Sequence, residues 1–383
     1  MRALHELIQQ VDEDPARGQE LVEAFVSAHT FPYTEGSEAT FFFYDGADAE
    51  QVKLLHWVFG LESHLELRKM PHVPAFWLRA ELPLGGRVEY KFAVVRGGRT
   101  RLMRDPHNPH QAFDPFGSNS VCPMPGYTEP AWARSEEGVR QGELERFHLQ
   151  STTWGDTRRV DVYLPAEYRP TKAYPLLVVF DGDDYRKFAS IRVVLDNLIH
   201  RHEVQPLIVA FTSGVNRNAE YAANPRQATF VAEELLPELR RRFSIEEGPE
   251  QIGLCGASFG GVTSLYTAWR YPDHFGKLLL QSGSFAFSDV GQHDLAELWE
   301  PVVDFVTRLR ANPSVLNQKI YMSCGVFEGL IAYNRAMVPV LREQGLQVRY
   351  VEAKDGHNWI AWRDRLREGL TFLFPGYLWM TYE

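Results

Sequence analysis

Cysteine is scarce, with only Cys122, Cys255 and Cys324 in 383 residues. Three thiols so far apart make no disulfide framework, and no CxxC or Cys/His spacing suited to zinc occurs. Long apolar runs are also missing. No stretch approaches the roughly 18 to 20 residues of a membrane span. The opening segment, MRALHELIQQVDEDPARGQELVEAF, is charged throughout and lacks the apolar centre of a secretory signal. A cytoplasmic protein with no membrane partner is therefore expected. Positive charge is in deficit: 40 Lys and Arg against 50 Asp and Glu give a net charge of −10. No overall field favours nucleic acid. What remains is the composition of a globular protein, 44% apolar and 23% charged, long enough for two or three domains.

The character of the chain changes along its length. Leu4, Leu7, Ile8 and Val11 have helical spacing, so residues 1 to about 30 read as one or two amphipathic helices. Then come short β-type runs, ATFFFYDG, QVKLLHWVF, AFWLRAEL and RVEYKFAVV, separated by Gly, Pro and Asp-Gly turns. They predict a β-sandwich of early-set or immunoglobulin-like type. Trp57 and Trp77 are expected in its core, with sugar stacking as the functional alternative. An irregular, Pro- and Gly-rich stretch, Asp105 to Trp132, and a polar linker lead to a boundary placed at residue 140. Residues 1–140 form the first domain and 141–383 the second.

In the second domain RVDVYLP, YPLLVVFDG, PLIVAFT, EQIGLCG, KLLLQSG, KIYMSCG and QVRYVEA read as strands. Several are continuously apolar, as strands covered on both faces are. Helical patterns lie between them, which predicts a doubly wound, mostly parallel α/β sheet.

Within it, Gly256-Ala257-Ser258-Phe259-Gly260 fits G-x-S-x-G between a strand and a helix. Such a turn forces its central residue into a strained backbone and needs small flanking residues. The serine hydroxyl then stands above the sheet, and the Phe259 amide faces the charge that an attacked carbonyl would develop. The second oxyanion donor is expected from Gly182 or Asp183, after the strand YPLLVVF. A serine hydroxyl needs a base. In the α/β-hydrolase order of serine, acid, histidine, three histidines follow Ser258. His274 reads as a surface or capping residue, and His293 follows no strand. His357 lies just after VRYVEA and is the expected base. For the acid, Glu328 follows KIYMSCG. Asp355 is its main rival and Asp304 the third candidate. The expected chemistry is ester or amide hydrolysis with no metal or organic cofactor.

The chain resembles the enterochelin esterases, hydrolases of catecholate siderophores. In the second domain the resemblance rests on Gly256 to Gly261, YPDHFGKLLLQSGSF, GHNW with Trp362 and Arg363, and CGVFEGLIAYN. It rests as well on Arg217, Glu220, Asn224, Phe230 and ELLP. ATFFFYDG, the Trp77 strand, VEYKFAV, DPHNP and FGSNS extend it into the first domain. The resemblance implies an α/β hydrolase that opens a catechol-bearing serine trilactone, with or without iron bound, and releases iron in the cytoplasm. Ser258 is then the nucleophile and His357 the base. Arg217 is suited to anionic oxygens of a ferric catecholate, or else pairs with Glu220 one helical turn on. Where the family often carries paired tryptophans after QSGSF, this chain has Ala286-Phe287. Compensation there falls to Tyr221, Trp359 and Trp362. Two alternatives stand beside this one: a serine carboxylesterase for aryl, feruloyl or carbohydrate esters, and a non-catalytic binding protein on the same fold.

Overall fold

The computed structural model describes residues 2–291, 296–311 and 318–377. By internal contacts the chain divides into two units. The first is Met1–Thr128 with two later segments, Val326–Glu328 and Ala353–Asn358, and the second is the remainder.

The first unit opens with two helices, Arg2–Glu13 and Gly18–Ala28, followed by two antiparallel sheets. In the smaller sheet Glu38–Phe43 pairs with Phe76–Glu81, and in the larger Gln51–His56 pairs with Arg87–Arg96. Alternation decides which side chains go where. Phe41 and Phe43 point into a core shared with Val52, Leu54, Tyr90 and Phe92 of the larger sheet. Phe42 points the other way, onto Leu7, Val11 and Val22 of the helices. One face of the small sheet thus closes a sandwich, and the opposite face is covered by the amphipathic N-terminal helices.

The second unit is built on eight strands: β1 (Glu143–Gln150), β2 (Thr157–Leu164), β3 (Leu176–Phe180), β4 (Ile208–Thr212), β5 (Ile252–Ala257), β6 (Lys277–Gln281), β7 (Lys319–Gly325) and β8 (Gln347–Ala353). Their spatial order is β1-β2-β4-β3-β5-β6-β7-β8. β2 is antiparallel to its neighbours, and the run from β4 through β7 is parallel. Every residue of β3, β4 and β5 is buried, because helices cover both faces. Val178 and Phe180 of β3 meet Val231, Leu235, Val262 and Leu265 on one face. Leu177 and Val179 meet Leu195, Leu198, Leu366 and Leu370 on the other. This is the doubly wound, mostly parallel sheet read from the continuous apolar runs, and it fits the α/β-hydrolase fold that the resemblance implies. The chain reverses direction across the sheet between β3 and β5, so the loops leaving these two strands flank the switch point where such sheets bind ligands.

Among the described residues no helix is long and apolar enough to cross a membrane, and no cluster of His, Cys, Asp and Glu is arranged to hold a metal. The three cysteines are buried and form no disulfide with one another.

Candidate active site

β5 ends in a turn that only its own residues could make. Ser258 has φ 59° and ψ −124°, a backbone that side-chain-bearing residues avoid. A Cβ on Gly256 would lie 2.3 Å from the carbonyl oxygen of Gly260, and one on Gly261 would lie 3.2 Å from Gly283. Glycine is a steric requirement at 256, and at 261 a side chain would need Gly283 to give by a few tenths of an ångström. The turn is tied to the neighbouring strand by the Ser258 amide, which donates to Gln281 (2.9 Å). The helix Phe259–Arg270 starts at once, and its first bonds run from the Gly261 and Val262 amides to the Ser258 carbonyl. The Phe259 amide precedes them, outside the helical ladder. Its ring is buried against Trp299.

The Ser258 hydroxyl is half-buried, 3.2 Å from that of Ser284. Asn334 holds the Ser284 loop by accepting from the Gly283 amide (3.1 Å) and donating to its carbonyl (2.9 Å). Ser284 was not singled out in the sequence. The repeated small residues of QSGSF are the signal for it.

The turn after β3 has a similar construction. Asp181 takes a left-handed φ of 53°, and Gly182 opens the short helix Gly182–Lys187. A Cβ on Gly182 would stand 2.4 Å from that of Phe211. The first amides to bond within this helix are those of Asp184 and Tyr185, both to Asp181, so the Gly182 and Asp183 amides come before the ladder. The Asp183 carboxylate is half-exposed and paired with Arg159 and Arg186.

Arg217 grips Asp181 with two parallel bonds, Nε to Oδ1 at 2.7 Å and Nη2 to Oδ2 at 2.6 Å, and Nη2 also reaches the carbonyl of Ala257 (3.5 Å). Burial alone would lower its pKa, but the Asp181 carboxylate outweighs this and the pKa is raised. Arg217 therefore does not pair with Glu220. Glu220 is buried against Arg158 (2.7 Å) and accepts from the amides of Val215 and Asn216. Tyr221 is fully buried, its hydroxyl accepting from the Gly214 amide (3.0 Å). Trp359 and Trp362 pack edge to face in the core, and Ala286 and Phe287 are buried as well. Tyr221, Trp359 and Trp362 are thus core side chains and do not line an open aromatic surface.

In the first unit the segments 326–328 and 353–358 lie side by side. The amides of Val326 and Phe327 donate to the carbonyls of Ala353 and Asp355 (2.8 and 3.2 Å). This brings Oε2 of Glu328 within 2.7 Å of Nδ1 of His357. The Glu328 side chain is 1% exposed and the imidazole 36%, a buried acid orienting an accessible ring.

Asp355 is committed elsewhere. It accepts from the Gly356 amide (2.7 Å) and from Asn358 (2.8 Å), and meets Nε of Arg87 at 3.1 Å. Arg87 also bonds Glu89 and Asn358 at 2.7 Å each. Burial raises the pKa of Glu89 despite that arginine. Arg87, which sequence reasoning missed, occupies Asp355, the main rival of Glu328. Asp304 is exposed beside Arg308. His274 packs against Tyr271 and Phe275, and His293 lies outside the described residues. Of the two tryptophans expected in the sandwich core, Trp77 packs beside the helical cluster, whereas Trp57 is 52% exposed.

A strained serine at a β-to-helix turn and a histidine bonded to a buried carboxylate are features that nucleophilic hydrolases use. Residues 151–373 match the profile of the family described as "Putative esterase". The chain belongs to this esterase family. The iron(III) enterobactin esterase of Dickeya dadantii is 26% identical over 286 residues, which cover 72% of this chain and 65% of that protein. The crystal structure of ferric enterobactin esterase from Salmonella typhimurium superposes with a TM-score of 0.78 at 21% identity, covering 92% of this chain and 98% of that one. The enterobactin esterase of Shigella flexneri, crystallised in the presence of enterobactin, gives a TM-score of 0.73 at 21% identity, covering 88% and 92%. The fold expected from the resemblance is thus the fold of these structures, and the family shown is that of the esterases.

Proposed function

We propose that this chain hydrolyses the ester bonds of a catechol-bearing serine trilactone, with Ser258 as nucleophile, His357 as base and Glu328 as the acid that orients it. The observation that carries the proposal is the backbone of Ser258, held by glycines in a conformation whose use is to present a hydroxyl. In this reading Oγ of Ser258 adds to an ester carbonyl as Nε2 of His357 takes its proton. The oxyanion is met by the amide of Phe259 and by that of Gly182 or Asp183. The carbon–oxygen bond to the seryl alkoxide breaks, and the alkoxide leaves with the proton from His357. Water, activated by the same imidazole, releases the acid and restores the serine. Glu328 keeps the proton of the neutral imidazole on Nδ1 and stabilises the imidazolium.

The named activities of the similar proteins support the choice of trilactone. Opening the ring unlinks the catechols, so iron loses the effective concentration that one molecule gave its ligands. Iron, if bound, arrives with the substrate and is released in the cytoplasm. The bidentate grip of Asp181 on Arg217 supports a positioning role for that guanidinium ahead of an anion-binding one. Buried Ala286 and Phe287 favour one second reading, a serine carboxylesterase for other aryl esters.

Chromatography of the trilactone, apo and ferric, after incubation with the chain tests the proposal. Linear fragments are expected with wild type and none with Ser258→Ala. Faster turnover of simple aryl esters with an intact trilactone would select the second reading. Equal rates in wild type and Ser258→Ala would remove Ser258 from the chemistry and favour a binding protein.

A further inference from the structure

The loop after the strand Gln51–His56 presents a feature that catalysis does not use. Trp57, Phe59 and Leu61 are 52%, 60% and 50% exposed, three large apolar side chains within five residues. Exposed apolar groups gathered in this way mark binding surfaces more often than ordinary protein surface. The loop is also well anchored. The Val58 amide donates to Nδ1 of the buried His56 (3.1 Å), and the His56 amide to the carbonyl of Ser63 (3.3 Å). Between the exposed residues Val58 turns inward, onto the cluster that contains Val326 and Phe327. Gly60, at φ 86°, reverses the chain between Phe59 and Leu61.

The decisive contact is the Phe59 amide, which donates to the carbonyl of Phe327 at 2.8 Å. The next residue is Glu328, whose carboxylate holds His357. The exposed rings are therefore carried by a loop fastened to the segment of the catalytic acid. The aromatic positions suggested by the sequence, at 221, 359 and 362, are buried, as are residues 286 and 287.

We propose that Trp57 and Phe59 form an aryl platform, on which an aromatic ring of the ester substrate stacks beside the His357–Glu328 pair. This rests on the esterase reading above and names the substrate group that the chain selects. The occupant is a neutral aromatic acyl group of catechol type, since the one charged side chain of the loop is the carboxylate of Glu62, which repels an anionic ring. It offers a π-face to each ring, and no cationic side chain within the loop calls for a different ligand.

The test compares two esters in the full chain: the catechol-bearing trilactone, and methyl butyrate followed by acid release. Trp57→Ala and Phe59→Ala are each expected to lower kcat/KM on the trilactone roughly five- to tenfold, mostly through KM, while methyl butyrate changes less than about twofold. Trp57→Phe and Phe59→Tyr should restore most of the loss. Equal losses on both esters would show a structural role and overturn the proposal, as would no loss on the trilactone.

A second arm does not depend on turnover. Ser258→Ala protein is titrated with 2,3-dihydroxybenzoylserine by calorimetry, with and without Trp57→Ala. Weaker binding in the double variant sustains the platform even if wild type cleaves neither ester, an outcome that would sink only the esterase reading. Equal affinity overturns the platform. Self-association of wild type that Phe59→Ala abolishes, with ester kinetics unchanged, would assign the surface to a second copy and also overturn it.

Discussion

The turn that carries Ser258 and the paired segments that carry Glu328 and His357 are held in opposite ways. The first is fixed by its own sequence. Glycines within five residues of the serine leave the backbone no other course. The second is fixed by residues far away in the chain: Arg87 takes Asp355, and the Phe59 amide takes the Phe327 carbonyl. A locally determined feature fails only when its own residues change. A remotely determined one fails when a distant strand does.

The sharpest way to break the local half is Gly256→Ala. The new Cβ would meet a backbone oxygen that cannot move without unwinding the first turn of the helix. We expect esterase activity to fall below about 1%, together with a loss of about 1 to 3 kcal/mol in a urea denaturation series, as overpacking of a tight site commonly costs.

The remote half is tested by Glu328→Gln and Asp355→Asn assayed side by side. Glu328→Gln should lower kcat about 10²- to 10⁴-fold with little change in thermal midpoint, since it removes the carboxylate that fixes the imidazole tautomer. Asp355→Asn should show the reverse balance, with a smaller loss of activity and a larger loss of stability. It leaves the buried Arg87 guanidinium short of countercharge, a change that costs about 3 to 5 kcal/mol where a pair is fully buried. If Asp355→Asn loses more activity than Glu328→Gln, Asp355 is the acid.

A smaller effect should follow from Arg217→Lys, because an ammonium cannot reproduce the two parallel bonds to Asp181. If Arg217 positions the turn after β3, kcat falls roughly tenfold on charged and neutral esters alike, at nearly constant KM. A rise in KM confined to the ferric trilactone would mean that the guanidinium meets the substrate.

The smallest effect tests stability alone. Burial, reinforced by Lys319, lowers the pKa of Lys277 to about 8 from a normal 10.5. The unfolded chain keeps that proton up to about 10.5, so the cost of the half-buried ammonium is fully present below pH 8 and fades as the pH rises toward 10.5. Lys277→Met should raise the melting midpoint at pH 7, and the gain should be much smaller at pH 10.

The same contrast explains what could be read in the sequence. The sheet was legible because burial on both faces leaves continuous apolar runs, as in LLVVF and IVAFT. The serine turn was legible because its determinants are adjacent in the chain. The choice between Glu328 and Asp355 was not, since it depends on Arg87, some 240 to 270 residues earlier. The partner of Arg217 was hidden for a related reason. Helical spacing pointed to Glu220, but Arg158 takes that carboxylate, and Asp181 arrives from another strand end. Trp57 misled because QVKLLHWVF continues its apolar character past the last paired residue, His56, where alternation no longer directs side chains inward.

The central claim is that Ser258 is a nucleophile activated by the pair His357 and Glu328. It is tested most directly by intact-protein and peptide mass spectrometry after exposure to an alkyl fluorophosphonate. The account predicts one adduct per chain, on Ser258, absent in Ser258→Ala and formed far more slowly in Glu328→Gln. Labelling of another residue, or undiminished labelling in Ser258→Ala, would contradict it.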